Sequence, residues 1–242
     1  MTTRLWWLRP ETFQASPAAL ALLNDDERAQ HQRYIPPAKR HEYLATRVLV
    51  RTVLGEALGM APAALQFVHN EWGCPALALD SSSAPIHFNI SHTDGLVVCV
   101  VSTEYRVGVD TELLARAPAL LALAPRVFAP AELSDLDALP EDARAQRAVR
   151  LWTLKESYIK ARGMGLALAL DGFAFRFEEG SVRLEVNVAL DDHGSRWQFQ
   201  TQTLGTHLIS TAIGLPGQQR QFESELDTRV VPIVSGEVRW PG

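Results

Sequence analysis

The chain predicts an α+β fold made of two similar halves, because one order of elements can be read twice along its 242 residues: a strand, then helices, then an antiparallel set of strands. A hydrophobic content of 47% allows a sizeable core, as one large domain or two small ones fused together. No residue-level identity links the halves, so the pseudo-twofold duplication is an expectation about architecture alone. The boundaries expected are an N-terminal half over residues 1–104, a C-terminal half over 105–215 and a tail over 216–242.

Taken in order, Leu5 to Leu8 reads as a first strand, and Ser16-Pro17 starts a short helix with proline in its first turn. A second helix over Asp25 to Arg33 stops before Pro36-Pro37, and a long one runs from Ala38 to Leu58, ending at Gly59. Gln66 to His69, Ile86 to Ile90 and Leu96 to Ser102 are strands by their β-branched content, with Thr93-Asp-Gly95 as the turn between the last two. Asn70 to Pro75 reads as a turn in which Gly73 and Pro75 let backbone approach a ligand. The second round begins at Val107 to Val109. Helices over Ala117 to Val127, Ala131 to Leu139 and Glu141 to Arg162 precede strands over Phe173 to Phe177, Val182 to Val188, Trp197 to Thr203 and His207 to Ile213. From Pro216 the Gln/Glu/Arg-rich tail lacks periodicity and is expected to be poorly ordered.

Composition excludes several classes. A formal net charge of -5 argues against broad attraction to nucleic acid or a membrane surface, so any anionic ligand must be held locally. Cys74 and Cys99 have neither the number nor the spacing of a disulfide framework or zinc site, which predicts free thiols in a reducing cytoplasm. The apolar run after Met1 is too short for a signal peptide, and no segment reaches the length of a membrane span.

The chemistry concentrates in Leu151 to Lys160, where Trp152, Glu156 and Lys160 recur every four residues and so share one helix face. Upstream, Asp110 and Glu112 stand at strand spacing and emerge on one side of an extended segment. Three carboxylates beside apolar runs need a partner or a metal, and hard oxygen donors suit Mg²⁺ with phosphate ligands. Between Arg28 and Arg51 lie six Lys or Arg residues and a single carboxylate, Glu42. Arg40, Arg47 and Arg51 fall within about 20° on a helical projection. They are read either as a phosphate clamp or as arginines snorkelling at the rim of a core helix. Ser91-His92 closes a buried strand, and its imidazole can donate to a phosphate oxygen.

Phe88-Asn-Ile-Ser-His92, Val107-Gly-Val-Asp-Thr-Glu112 and Trp152-Thr-Leu-Lys-Glu-Ser-Tyr-Ile-Lys160, with Gly163 and Gly165-Leu166 following, resemble the ordered motifs of 4′-phosphopantetheinyl transferases of the surfactin-synthetase-activating type. The resemblance spans roughly residues 30 to 215 and includes Arg126-Val-Phe-Ala-Pro-Ala-Glu132. It implies two similar α+β halves with the active site at their interface. It also implies transfer of the 4′-phosphopantetheine arm from coenzyme A to a serine of an apo acyl or peptidyl carrier protein, releasing adenosine 3′,5′-bisphosphate. By position, the resemblance places Mg²⁺ on Asp110, Glu112 and Glu156, and the 3′-phosphate near Lys39, Arg40 and Arg47. It puts Ser91, His92, Lys155 and Lys160 about the pyrophosphate. Glu156, Lys160 and His92 become the catalytic candidates, with Glu156 as base toward the serine. Cys74 stands where the family's Gly-x-Pro turn often has lysine, and Arg116 and Arg126 are candidate carrier contacts. A site completed on one chain implies a monomer. The competing expectations are a Mg²⁺-dependent phosphodiesterase or phosphatase, and an inactive carrier-binding scaffold.

Overall fold

The computed structural model describes residues 3–78, 85–165, 168–178, 181–187, 190 and 192–215, with the backbone of short strands at 227–230, 233–234 and 237–238. Leu166 and most of the tail lie outside the described residues.

The N-terminal lobe starts with β1 (Arg4–Leu8), followed by α1 (Pro17–Ala21), α2 (Asp25–Arg33) and α3 (Pro37–Leu58). A hairpin of β2 (Phe67–His69) and β3 (Pro75–Leu77) leads to β4 (His87–Thr93) and β5 (Leu96–Ser102). The C-terminal lobe repeats this order: β6 (Arg106–Leu113), α4 (Ala117–Val127), α5 (Pro130–Asp137), α6 (Glu141–Arg162), the hairpin β7 (Phe173–Glu178) and β8 (Ser181–Val186), then β9 (Trp197–Leu204) and β10 (His207–Gly214). Sheet order repeats as well, β1-β5-β4 in one lobe and β6-β10-β9 in the other, all antiparallel. In the tail, expected without regular structure, β11 (Asp227–Val230) lies parallel to β1, and β12 (Ile233–Val234) pairs with β13 (Glu237–Val238).

Local chemistry explains the helix ends. Asn24 and Glu27 exchange side-chain-to-backbone bonds in a capping box that opens α2. Both long helices close on a glycine in the left-handed region, Gly59 at φ 63° and Gly163 at φ 65°. Strand β5 is apolar from Leu96 to Val101 because both faces are covered. Val97, Cys99 and Val101 pack in the core beneath α3, whereas Leu96, Val98 and Val100 join Val107, Val109, Ile209 and Ile213 in an apolar layer shared by the two lobes. A third core of α4, α5, α6, β7 and β8 residues, including Leu154, Tyr158, Phe173 and Phe175, fills the C-terminal lobe.

Two strands extend past their expected ends, β4 through Thr93 and β6 through Leu113. Most of the added residues are polar, and Ser91, Thr93, Asp110 and Glu112 among them meet at the seam between the lobes.

Candidate active site

At the seam, β4 and β6 run side by side through side chains instead of a backbone ladder. Asn89 Oδ1 accepts the Val109 N–H, Ser91 Oγ accepts the Thr111 N–H, and Thr93 Oγ1 donates to Glu112 Oε1 at 3.0 Å. Alternation along β4 sends residues 89, 91 and 93 toward β6. The opposite face carries Phe88 and Ile90 into the α3 core and His92 onto α3 itself. Asn89 has no part in the sequence-level site, although its two-residue spacing from Ser91 carries the signal.

Alternation along β6 does the complementary work: Val107 and Val109 enter the interlobe layer, whereas Gly108, Asp110 and Glu112 turn toward α6. Gly108 is required there. A Cβ on it would lie 2.1 Å from the Ser157 carbonyl oxygen and 2.4 Å from the Ala161 nitrogen, both α6 backbone. This close approach puts Lys160 and Glu156 over the β6 carboxylates. Lys160 Nζ donates to Asp110 Oδ1 at 2.6 Å and to Ser91 Oγ at 3.0 Å, and Ser91 Oγ donates to the same Asp110 oxygen at 2.8 Å. One ammonium thus ties α6 to strands from both lobes.

These groups open on a cleft of ≈ 330 Å³ lined by Ile90, Ser91, His92, Asp110, Thr111, Glu112, Trp152, Glu156 and Lys160. Burial pushes the Asp110 carboxyl up, partly offset by Lys160 and Ser91. Burial first, and then the Asp110 carboxylate, push Glu156 up as well. Among the described residues no hydrogen bond or ion pair satisfies the Glu156 carboxylate. Glu112 is differently placed: Oε1 takes Thr93 and the Leu113 N–H, and Oε2 takes Arg116 at 3.1 Å.

The donor chemistry fits a hard divalent cation. Asp110 and Glu156 are like charges crowded at the mouth of one cleft, one with a free oxygen and one with no partner. Among the described residues no three acidic, histidine or cysteine side chains already converge at metal-ligand spacing.

The remaining sequence-level candidates separate into two groups. Gly73, at φ 79°, and Pro75 sit at the β2–β3 tip, where Asn70 Oδ1 accepts the Trp72 and Cys74 N–H groups and Asn70 Nδ2 donates to Gly163 O at 2.9 Å. The N-terminal hairpin is thereby fastened to the end of α6, one turn beyond Lys160. Lys39 reaches the cleft's rim through Glu42, which also meets His92. Burial pushes the Cys74 thiol up, leaving it neutral at ordinary pH.

Three candidates lie away from the cleft. Lys155 is fully buried inside the C-terminal lobe, paired with Glu132 at 2.8 Å and donating to the Leu170 and Phe173 carbonyls. Its assignment to the pyrophosphate is corrected accordingly: it is 100° around the helix from Glu156, on the core face. Arg40 donates to the Tyr34 carbonyl, and Arg47 lies 3.7 Å from Glu27 with its guanidinium over Tyr43. Arg51, in the same column, is wholly internal. Arg47 and Arg51 thus have partners within the lobe, as snorkelling requires, whereas Arg40 stays exposed beside the Tyr34 carbonyl.

Comparison with known proteins agrees with this geometry. The profile of the 4′-phosphopantetheinyl transferase superfamily matches residues 106–212, and that of the N-terminal part of 4′-phosphopantetheinyl transferase matches residues 6–104. A 4′-phosphopantetheinyl transferase of Bacillus subtilis is 33% identical over 74% of this chain and 77% of its own. The B. subtilis transferase Sfp is 32% identical over the same shares, and the Nostoc transferase HetI is 35% identical over 61% of this chain and 62% of its own. The chain belongs to the 4′-phosphopantetheinyl transferase family, and its activity is transfer of the 4′-phosphopantetheine arm of coenzyme A to a carrier-protein serine.

Proposed function

We propose that the cleft between β4, β6 and α6 is where this transfer takes place, with Mg²⁺ held by Asp110, Glu112 and Glu156 and the coenzyme A diphosphate laid across the seam. The observation that carries this reading is the Lys160 ammonium. It is shared by Asp110 of one lobe and Ser91 of the other, beside a Glu156 carboxylate with no protein partner among the described residues. Mg²⁺, when bound, supplies charge neutralisation to the diphosphate oxygens. The protein's own groups do the rest. Glu156, pushed up by burial and by Asp110, is a stronger base than an ordinary carboxylate and takes the proton of the incoming serine. The serine oxygen bonds to the β-phosphorus as the bond to the leaving adenosine 3′,5′-bisphosphate breaks, and Lys160 balances the charge that grows on the leaving oxygens. His92 and Lys39 stand at the rim nearest α3 and meet the cofactor's outer phosphates.

The two halves, 1–104 and 105–215, each supply part of this cleft, so one chain suffices and the working unit is a monomer. Among the described residues no helix is long and apolar enough to cross a membrane. The test uses the full chain with coenzyme A, Mg²⁺ and a panel of apo acyl and peptidyl carriers, read by intact mass. A phosphopantetheine-sized gain on a carrier serine, abolished by chelation and restored by Mg²⁺, is the expected result. A gain that survives complete chelation would remove the metal from the proposal.

A further inference from the structure

Glu42 has no place in the scheme above, yet its carboxylate joins Lys39 to His92 at the rim. It projects from the second turn of α3 with only 12% of its side chain exposed. Oε1 lies 2.6 Å from His92 Nδ1, and Oε2 takes the Lys39 ammonium at 2.9 Å. Lys39 reaches on to Asp94 Oδ1 at 3.3 Å, in the turn after β4. The Asp94 carbonyl is in turn 2.8 Å from His207 Nε2 of the C-terminal lobe. The His92 ring is therefore held between a helix and a turn that are themselves fastened.

An ionised carboxylate only accepts hydrogen bonds, so the ring nitrogen facing Glu42 must carry a proton. That nitrogen is Nδ1. A ring committed this way leaves Nε2 as the nitrogen that can meet a ligand, and carboxylate partners fix imidazole tautomer and orientation by this same logic elsewhere. His92 lines the cleft and is half exposed, which gives Nε2 access.

We infer that Glu42 is a positioning residue for the transfer: it accepts the Nδ1–H of His92, fixes the ring, and stabilises it as the imidazolium whose Nε2–H donates to a phosphate oxygen of coenzyme A. The inference rests on the cleft being the cofactor site, and the experiment separates the two. The full chain is labelled with ¹⁵N-histidine, and His92→Gln identifies the His92 signals among the seven histidines. In the free protein the Nδ1 signal of His92 is expected to be that of a protonated nitrogen, and adding coenzyme A protonates Nε2 as well, so that Nε2 moves more than Nδ1. Glu42→Ala is expected to leave the coenzyme A-bound ring without its second proton and to raise KM for coenzyme A about tenfold, with KM for the carrier unchanged. Glu42→Gln keeps an acceptor and retains the Nδ1–H form with most of the affinity. An unchanged ring and KM in Glu42→Ala, or a wild-type ring whose signals shift with coenzyme A without gaining a second proton, overturns the role of Glu42. His92 signals that ignore coenzyme A overturn the placement of the cofactor, and the function of the positioning with it.

Discussion

The two long helices, α3 and α6, are each 22 residues and are anchored by the same device at matching places. In α3 the buried Arg51 pairs with Glu27 of α2, bonds the Pro62 and Leu65 carbonyls and lies over the Phe67 ring. In α6 the buried Lys155 pairs with Glu132 of α5, bonds the Leu170 and Phe173 carbonyls and lies over the Phe173 ring. Both glutamates also accept the backbone N–H three residues earlier, of Asn24 and Ala129, at the start of their helices. Gly59 and Gly163 each follow the anchoring cation by eight residues. The duplication thus survives in buried charge even though the sequences have diverged.

The difference lies one residue past the anchor. Thr52 follows Arg51 and is buried, its hydroxyl without a hydrogen bond among the described residues. Glu156 follows Lys155 and faces the cleft. Five residues past the anchor, Glu56 lies 4.0 Å from Arg4, whereas Lys160 grips Asp110. One scaffold therefore carries a packed face in one lobe and a reactive face in the other. What separates them is charge at two positions on a helix whose course the anchor has already fixed.

Glu156→Gln should break this comparison most severely. Transfer is expected to fall by about 10³-fold or more while Thr52→Val leaves turnover unchanged, both read by initial rates on an apo carrier. Raised above its unfolded value, the Glu156 pKa means the fold gains stability from this group as pH falls and loses it as pH rises through the shifted value. Glu156→Gln should therefore raise the Tm of the free protein at pH 8. A lowered Tm would show that Glu156 has a partner in solution.

Next in size are the anchors. Lys155→Met leaves the buried Glu132 without its cation and should cost about 3–5 kcal/mol in denaturant unfolding, and Arg51→Met, which leaves Glu27 only the longer contact with Arg47, should cost less. A Lys155→Met protein of normal stability that fails to bind coenzyme A would return Lys155 to the cleft.

Arg47→Ala should be mild, a loss of about 1 kcal/mol from its partly buried contacts with Glu27 and Tyr43. Its effect on KM should be equal for coenzyme A and dephospho-coenzyme A. A selective loss for coenzyme A would instead place the 3′-phosphate on Arg47.

The smallest effect is on pH dependence. The ionised form of Glu156 is the active one, so transfer is complete above its raised pKa and declines as pH drops through it. That decline lies at higher pH than for an ordinary carboxylate, and saturating Mg²⁺ should move it lower by favouring the ionised form. A decline independent of Mg²⁺ would separate the base from the metal site.

Much of this was legible in the residues. Strand β5 and helices α2, α4 and α6 end where caps and apolar runs predicted, because those signals are local. Strands β4 and β6 ran longer than expected for one reason. Ser91, His92 and Thr93 look like loop by polarity, and Asp110 and Glu112, although read as extended, carry no apolar signal for where β6 ends; each finds a partner on another element, which one strand's sequence cannot display. β3 is three residues with no periodicity to read. Lys155 is a different kind of miss. The 100° step per residue already excluded it from the Glu156 face, and its motif position outweighed that geometry.

The bare Cα of Gly108 has one more consequence. With no room between strand and helix for even a methyl group, β6 and α6 cannot slide past each other, so carrier docking has to be accommodated by softer parts of the molecule. Attempts to broaden the range of accepted carriers would do best to leave this joint untouched and to randomise the Asn70–Pro75 tip, which the exposed Asn70 amide ties to the Gly163 carbonyl.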